Sequence, residues 1–382
     1  MKIIHIINSL KKGGAEGNLY RLCKLQKNKY KKKIDIIIIT LIDNGYFENE
    51  LKKNGIKVYS LAWNKKNRYF EFIKKILKLR NFIRKQNPDV IQSWMYHSNF
   101  LTIFLPKIFY EKIFWNIRHS ELNFQISKKT TIFISFLCGL FSKIVPKKII
   151  YCSERSIKFH ENQHFYSKIK TTLINNGYND KTYYPSKYLN LNFRKKYKID
   201  KSDIILGFAG RYAKQKNIYS MLLAFSNIIK NFDNIYFYMV GKNINSLNKE
   251  LYNFVLDLKI KNKVIFLKEQ KNLLEFYNGI DLLLLTSHSE SFPNVIAEAM
   301  LCKTPVLSSD AGCAKKIIGA SGFIMRNNDH QSILNGLIKS IKIFRYNKNK
   351  WNTLKKNSRQ QIKKNFSIAK MSNKYLRAWI FK

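Results

Sequence analysis

The sequence predicts two doubly wound α/β domains, each a parallel sheet with helices on both faces, and three observations carry that reading. At 382 residues the chain is too long for one ordinary core of roughly 100–200 residues. Short runs rich in Ile, Val, Leu and Phe recur along it and are apolar throughout rather than alternating, as strands covered on both faces must be. Helix-length segments separate those runs, which is the rhythm of βα units in a parallel sheet.

In the first half the strands are read at 3-IIHII-7, 34-IDIIIIT-40, 57-KVYSL-61, 90-VIQSW-94, 113-IFWNI-117, 149-IIYCS-153 and 171-TTLI-174. In the second half they are 204-IILGFAG-210, 235-IYFYMVG-241, 264-VIFLK-268, 281-DLLLLTS-287 and 304-TPVLSS-309. Between the halves, 175-NNGYNDKTYYPSKYLNLN-192 is rich in Asn, Tyr, Gly and Pro and poor in aliphatics, so it reads as the linker. Ligands of open α/β sheets bind beyond the C-terminal strand ends, so two such domains predict a site in the cleft between them.

Seventy Lys and Arg against 24 Asp and Glu give a net charge of +46. That excess favours polyanionic partners, namely nucleic acid, an anionic membrane surface or phosphorylated substrates. The abundance of Lys, Asn and Ile equally fits an AT-rich coding sequence, with the charge spread over a solvated surface. The five cysteines are odd in number and show no C-x-x-C spacing, the pattern of a reducing compartment. The N-terminus has no secretory signature, and the most apolar segment, 131-TIFISFLCGLFSKIV-145, is shorter than a bilayer span and interrupted by Lys143. It is expected to be a buried helix, and the protein to be cytoplasmic.

The stretch 287-SHSESFPNVIAEAM-300 holds two glutamates with seven residues between them. Glu290 follows a strand, at the sheet edge where ligands bind. Pro293 marks the first turn of a helix, where its missing N–H costs nothing, and Glu298 lies more than a turn inside. Two readings fit the spacing: separate hydrogen-bonding posts along an extended ligand, or a solvated Glu290 with Glu298 supporting helix propensity. Between them a helix N-terminus offers unpaired amides and a positive dipole end to an anion. In 207-GFAGRYAKQKN-217, Gly210 lets backbone approach a ligand, while Arg211 and Lys216 supply the cations a diphosphate needs.

Other motifs say less. Gly13-Gly14 after the first strand is either a phosphate-cradling turn or a plain strand-to-helix turn, and the full G-x-G-x-x-G fingerprint is absent. The segment 160-HENQH-164 matches H-E-x-x-H formally, but no third ligand follows, and both histidines are expected at the surface. His119 and His97 each follow a strand and are expected to face the cleft. His5, inside an apolar strand, is expected to be a satisfied core residue. In 65-KKNRYFEFIKKILKLRNFIRKQ-86, Tyr69, Ile73, Ile76, Leu79 and Ile83 form one apolar stripe expected to be core, leaving a basic face for anionic lipid head groups.

Taken in order, four pieces resemble the retaining glycosyltransferases of family 4, which have the GT-B fold. They are Gly13-Gly14-Ala15-Glu16, then 173-LINNGYNDKTYYP-185, then Gly210-Arg211 with Lys216, then Glu290-x7-Glu298 followed by 305-PVLSSDAG-312. The resemblance spans nearly the whole chain. It implies an acceptor-side Rossmann-like domain at 1–178, a nucleotide-sugar-binding one at 190–366, and a C-terminal helix near 367–382 crossing back onto the first. It also implies that Arg211 and Lys216 bind the diphosphate, Glu298 the ribose hydroxyls and Glu290 the donor sugar. By the same resemblance the backbone of Phe292, Pro293, Asn294 and Val295 passes close to sugar and phosphate. Gly14 approaches the phosphates, and His119 lies near the reacting carbon. Ser291 stands where the family often has glycine, and Gly17-Asn18 where it has a bulkier helix start.

The chain contains no D-x-D, so no metal and no cofactor is expected, and leaving-group charge falls to Arg211, Lys216 and the helix dipole. The function so implied is transfer of a hexose or N-acetylhexosamine from a UDP- or GDP-sugar to a glycan or polyprenyl-linked acceptor in surface-polysaccharide synthesis, at the inner face of the membrane. The alternatives are a sugar-nucleotide epimerase of the same fold and, from charge alone, a nucleic-acid-binding protein, for which no recognition motif is present.

Overall fold

The computed structural model describes residues 1–43, 45–63, 68–122 and 127–380, leaving aside the side chains of residues 32 and 68–70. They divide into two compact units, Met1–Gly177 with Ile368–Lys382, and Tyr178–Ser367.

The first unit is built on a seven-stranded parallel sheet. Its strands are β1 (Lys2–Ile7), β2 (Asp35–Thr40), β3 (Lys57–Ser60), β4 (Val90–Trp94), β5 (Ile113–Ile117), β6 (Lys148–Tyr151) and β7 (Thr171–Leu173), in the order β3-β2-β1-β4-β5-β6-β7. The chain begins in the middle, runs out to β3 and returns on the other side of β1, so the strand order reverses between β1 and β4. The second unit repeats the plan with six strands: β8 (Ile204–Ala209), β9 (Ile235–Val240), β10 (Val264–Phe266), β11 (Leu282–Leu285), β12 (Val306–Ser309) and β13 (Phe323–Met325). Their order is β10-β9-β8-β11-β12-β13, all parallel, with the reversal between β8 and β11. Every strand read from the sequence is present, and β13 is one the sequence reading did not include. Each sheet is covered on both faces, which is why β4 and β8 are buried along their whole length.

Polar groups inside the first sheet are tied to the C-terminal helix Ile368–Ile380. Trp379 Nε1 donates to Gln92 Oε1 at 2.9 Å, and Asn116 Nδ2 donates to the Tyr375 hydroxyl at 2.6 Å. Arg118 is buried; it donates to Asn176 Oδ1 at 2.6 Å and to the Tyr375 hydroxyl, and lies 5.3 Å over the Trp94 ring.

Several expectations need correcting. Residues 187–192, read as linker, begin a helix, Lys187–Lys196, because Ser186 Oγ caps it by accepting from Leu189 N at 3.2 Å. Asn278 then anchors the segment, accepting from Ser186 N at 2.6 Å and donating to Tyr184 O at 3.0 Å. His160 and His164 are buried rather than on the surface. His160 donates from Nδ1 to Ser156 O at 2.7 Å and accepts at Nε2 from the Tyr96 hydroxyl at 2.7 Å, and burial pulls its pKa down to about 3. His5 is a core residue satisfied at one nitrogen only. Trp94 Nε1 donates to its Nδ1 at 3.1 Å, its Nε2 has no hydrogen-bond partner among the described residues, and burial lowers its pKa to about 3.

Within the helix Arg68–Gln86, Ile76, Leu79 and Ile83 are buried, but Ile73 is 59% exposed; the Tyr69 side chain and residues 65–67 lie outside the described residues. At about 100° per residue, Ile73 lies roughly 90° from the centre of the other three, so it is off the packed face. The apolar segment 131–145 forms the helix Lys129–Phe141, which is not buried all round: Phe133, Phe136, Leu140 and Phe141 are exposed. Among the described residues no helix is long and apolar enough to cross a membrane. All five cysteines are buried and none is disulfide-bonded.

Candidate functional site

In the second unit the loops after β8 and β11 lie at the point where the strand order reverses, the place where open α/β sheets bind ligands. The β8 loop is strapped to the strand beside it. Gly210 N donates to Val240 O at 2.9 Å and Tyr212 N to Lys242 O at 2.9 Å. Gly241, with φ +149°, passes so close beneath that a Cβ there would stand 1.8 Å from the Gly210 carbonyl oxygen. The chain then makes a single 3-10 turn, Lys214–Lys216, and Asn217 in the left-handed region (φ 52°, ψ 45°) turns it into the helix Ile218–Ile228.

The β11 loop grips that turn. Thr286 Oγ1 donates to Lys216 O at 3.0 Å and His288 N to Gln215 O at 2.8 Å. Asn217 Nδ2 reaches Asn328 O at 2.5 Å, and Asn328 Nδ2 lies 2.8 Å from His288 Nδ1. These bonds bring two predicted residues together: Lys216 Nζ stands 2.5 Å from Glu290 Oε1, with both side chains only 13% exposed. Ser287 Oγ donates to the same carboxylate oxygen at 2.8 Å and is itself backed by Ser309 Oγ, which donates to Ser287 O at 2.7 Å. From the far side Gly312, at φ +64°, abuts the Glu290 backbone; a Cβ there would stand 1.9 Å from the Glu290 carbonyl oxygen.

Pro293 occupies the N-cap of the helix Asn294–Leu301 rather than its first turn. Phe292 is buried between Tyr178, stacked at 6.3 Å, and Phe366 at 5.6 Å, so its backbone is what it can offer a ligand. The Tyr178 hydroxyl donates to Asn294 Oδ1 at 2.5 Å, and Val295 is half-buried beside it. Glu298 is buried on the helix and accepts from the Tyr277 hydroxyl at 3.0 Å. Burial and that carboxylate together hold the Tyr277 phenol far above its ordinary pKa. Arg211 is exposed at the β8 strand end. The arrangement offers two cations, a helix N-terminus and two carboxylates in one half of the chain, which suits a ligand with a diphosphate between two hydroxyl-bearing groups.

The remaining candidates belong to the first unit. Gly14 opens the helix Gly14–Tyr30, with Gly13 as an extended N-cap, and Glu16 folds back so that a Cβ on Gly13 would stand 2.3 Å from its Oε2. Burial raises the Glu16 pKa. His119 is exposed just past β5, its ring 5.6 Å from that of Tyr96 and its carbonyl accepting from Ser156 Oγ at 2.5 Å. His97 is half-buried in the helix Met95–Thr102, where burial and then Lys128 lower its pKa. Among the described residues no group of three or more His, Cys, Asp or Glu could hold a metal ion.

Sequence reasoning missed the supports: Ser287, Thr286, Asn217, Tyr277, Tyr178, Gly241 and Gly312. Asn217 stands directly before an apolar helix, but its side chain makes no capping bond there, so that pattern did not point to its bond with Asn328. The tyrosines carried no signal.

Residues 190–361 match the family model described as "Glycosyl transferases group 1". A capsular polysaccharide biosynthesis glycosyltransferase, CapM of Staphylococcus aureus, is 22% identical over 305 residues, 78% of each chain. The O-antigen biosynthesis glycosyltransferase WclY of Escherichia coli is 23% identical over 317 residues, 81% of this chain and 80% of its own. Among solved structures, HepE of Anabaena in complex with UDP and glucose superposes with a TM-score of 0.83 at 20% identity, covering 100% of both chains. That likeness shows the fold, which is GT-B.

Proposed function

The chain belongs to the group 1 glycosyltransferases, the retaining enzymes of family 4, and from that premise we propose a specific reaction for it. It moves a hexose or N-acetylhexosamine from a UDP- or GDP-sugar onto a glycan or lipid-linked acceptor during assembly of a surface polysaccharide. The observation that carries the reading is the Lys216–Glu290 pair, braced by Ser287 at the strand-order reversal of the second unit. Support for a UDP-sugar comes from HepE, solved with UDP and glucose, and support for a surface-glycan acceptor from CapM and WclY.

A cation already neutralised by a carboxylate is poised to exchange partners. When the donor enters, Lys216 turns to the diphosphate with Arg211, and the amides at the start of the Asn294–Leu301 helix take the remaining phosphate charge. Glu290, released, accepts hydrogen bonds from the donor sugar's hydroxyls, while Glu298 holds the ribose. The bond from C1 to the phosphate oxygen breaks as the acceptor oxygen bonds C1 on the same face. The acceptor's proton passes to the leaving phosphate, so the configuration is retained without a second carboxylate.

The test is a panel of UDP- and GDP-sugars incubated with lipid-linked and glycan acceptors, scored by nucleoside diphosphate release and sugar transfer. Transfer from one donor with retained configuration is the expected result. Interconversion of the donor without an acceptor, or no release from any donor, would overturn the reading.

A further inference from the structure

The helix Lys129–Phe141 is packed the wrong way round for a core element. Its buried side carries Ile132, Ser135, Cys138 and Gly139, while Phe133, Phe136, Leu140 and Phe141 face solvent. Large apolar side chains are normally what a helix buries, so a face that buries small residues and exposes phenylalanines is shaped for a second apolar surface. Gly139 explains why the inward side must be small. A Cβ there would stand 1.6 Å from the His164 carbonyl oxygen, so the helix lies directly on the 164–166 segment.

That segment extends the exposed face. Phe165, held at φ +58° where a non-glycine residue is strained, meets Phe136 edge-on at 5.5 Å and is itself exposed. Ile144 continues the surface past the helix end, and Lys170 Nζ donates to its carbonyl at 3.3 Å.

Charge selects the occupant. Residues 128–148 contain five lysines and no acidic residue, and Lys128, Lys129 and Lys143 are exposed around the apolar face. A second copy of the chain would bring one lysine-ringed face against another, which like charges oppose. A bilayer bearing anionic head groups offers acyl chains to the phenylalanines and phosphates to the lysines.

We infer that the apolar face of the helix Lys129–Phe141, with Phe165 and Ile144, is a docking surface for an anionic membrane. It inserts shallowly, in the interfacial plane, and it differs from the basic face of residues 65–86 that the sequence alone suggested. Nothing in it depends on how the donor is bound.

The experiment is co-sedimentation of the full chain with vesicles of phosphatidylcholine alone or mixed with phosphatidylglycerol, for wild type, for F133Q/F136Q/L140Q and for K128E/K129E/K143E. The substituted residues are exposed, so a matching melting temperature verifies folding of each variant. Wild type should pellet with the anionic vesicles only, and each triple variant should bind at least tenfold more weakly, since burying one large apolar side chain is worth about a decade in equilibrium constant. Unchanged binding by the glutamine variant would overturn the assignment of the surface. Failure of wild type to bind, or a dimer that the glutamine variant abolishes, would overturn the membrane as its occupant. Donor turnover on a soluble acceptor should be the same in wild type and both variants, which separates this inference from the glycosyltransferase reading.

Discussion

Lys216 Nζ and Glu290 Oε1 stand 2.5 Å apart although they are 74 positions apart in the chain, because they lie in the loops that follow the two strands between which the second sheet reverses its order. Each is mostly buried, so neither charge is well served by water if the other is removed. In the Lys216→Met variant the Glu290 carboxylate keeps Ser287 as its donor but loses its counter-charge. Breaking a buried pair on one side costs about 3–5 kcal/mol, and partial exposure here brings the expected loss to about 1–3 kcal/mol. The double variant K216M/E290Q should recover most of that stability and none of the activity. Denaturant melts of the two single variants and the double variant measure the coupling.

Glu290→Gln keeps the shape of the side chain and removes its charge. The expected outcome is a fall in kcat of roughly 10²–10³-fold with a much smaller change in donor KM, the pattern of an interaction made mainly in the transition state. Steady-state kinetics over a range of donor concentrations separates the two parameters; unchanged kinetics would remove Glu290 from the mechanism.

Glu298→Gln should behave in the opposite sense. Held by the Tyr277 hydroxyl at 3.0 Å, Glu298 is assigned to ribose binding, so donor KM should rise about tenfold while kcat at saturation is kept. Tyr277→Phe removes the orienting hydroxyl and should produce a weaker form of the same change.

Gly312→Ala forces a Cβ to within 1.9 Å of the Glu290 carbonyl oxygen at a residue with φ +64°. Backbone must move, and the cost should be at least about 2 kcal/mol, read as a drop in Tm of roughly 4–8 °C for a unit of this size. Because the atom displaced belongs to Glu290, activity well below the melting transition should fall as well.

Acid should destabilise the first unit. His5 and His160 are held neutral by burial, with pKa values near 3 against an ordinary 6.5. An unfolded chain binds protons at these sites below pH 6.5 while the folded one does not. The stabilisation is therefore complete above pH 6.5 and is lost as pH falls towards 3, by up to about 1.4 kcal/mol per residue for each pH unit. The His160→Gln variant should show a shallower decline of Tm between pH 6.5 and 4 than wild type.

What the sequence revealed and what it hid divide along physical lines. Buried parallel strands are apolar on both faces, so β1–β12 were legible as apolar runs, whereas β13 was not read. Glu290, Glu298, Arg211 and Lys216 were legible because strand ends and a proline fix their local settings. Close backbone approaches were not: Gly241 against Gly210 and Gly312 against Glu290 join loops distant in sequence. Nor was the outward face of the helix Lys129–Phe141, since composition gives apolarity but not which side the neighbours cover. The burial of His160 likewise depends on Tyr96 from a helix, Tyr151 from β6 and Tyr166 from a loop.

The central claim is that Lys216 exchanges the Glu290 carboxylate for a donor's diphosphate, and calorimetric titration of UDP and GDP tests it most directly. Wild type should bind one of them, K216M should bind it at least about tenfold more weakly, and E290Q should bind it as tightly as wild type or more so, because the competing carboxylate is gone. Equal affinity in wild type and K216M would contradict the account.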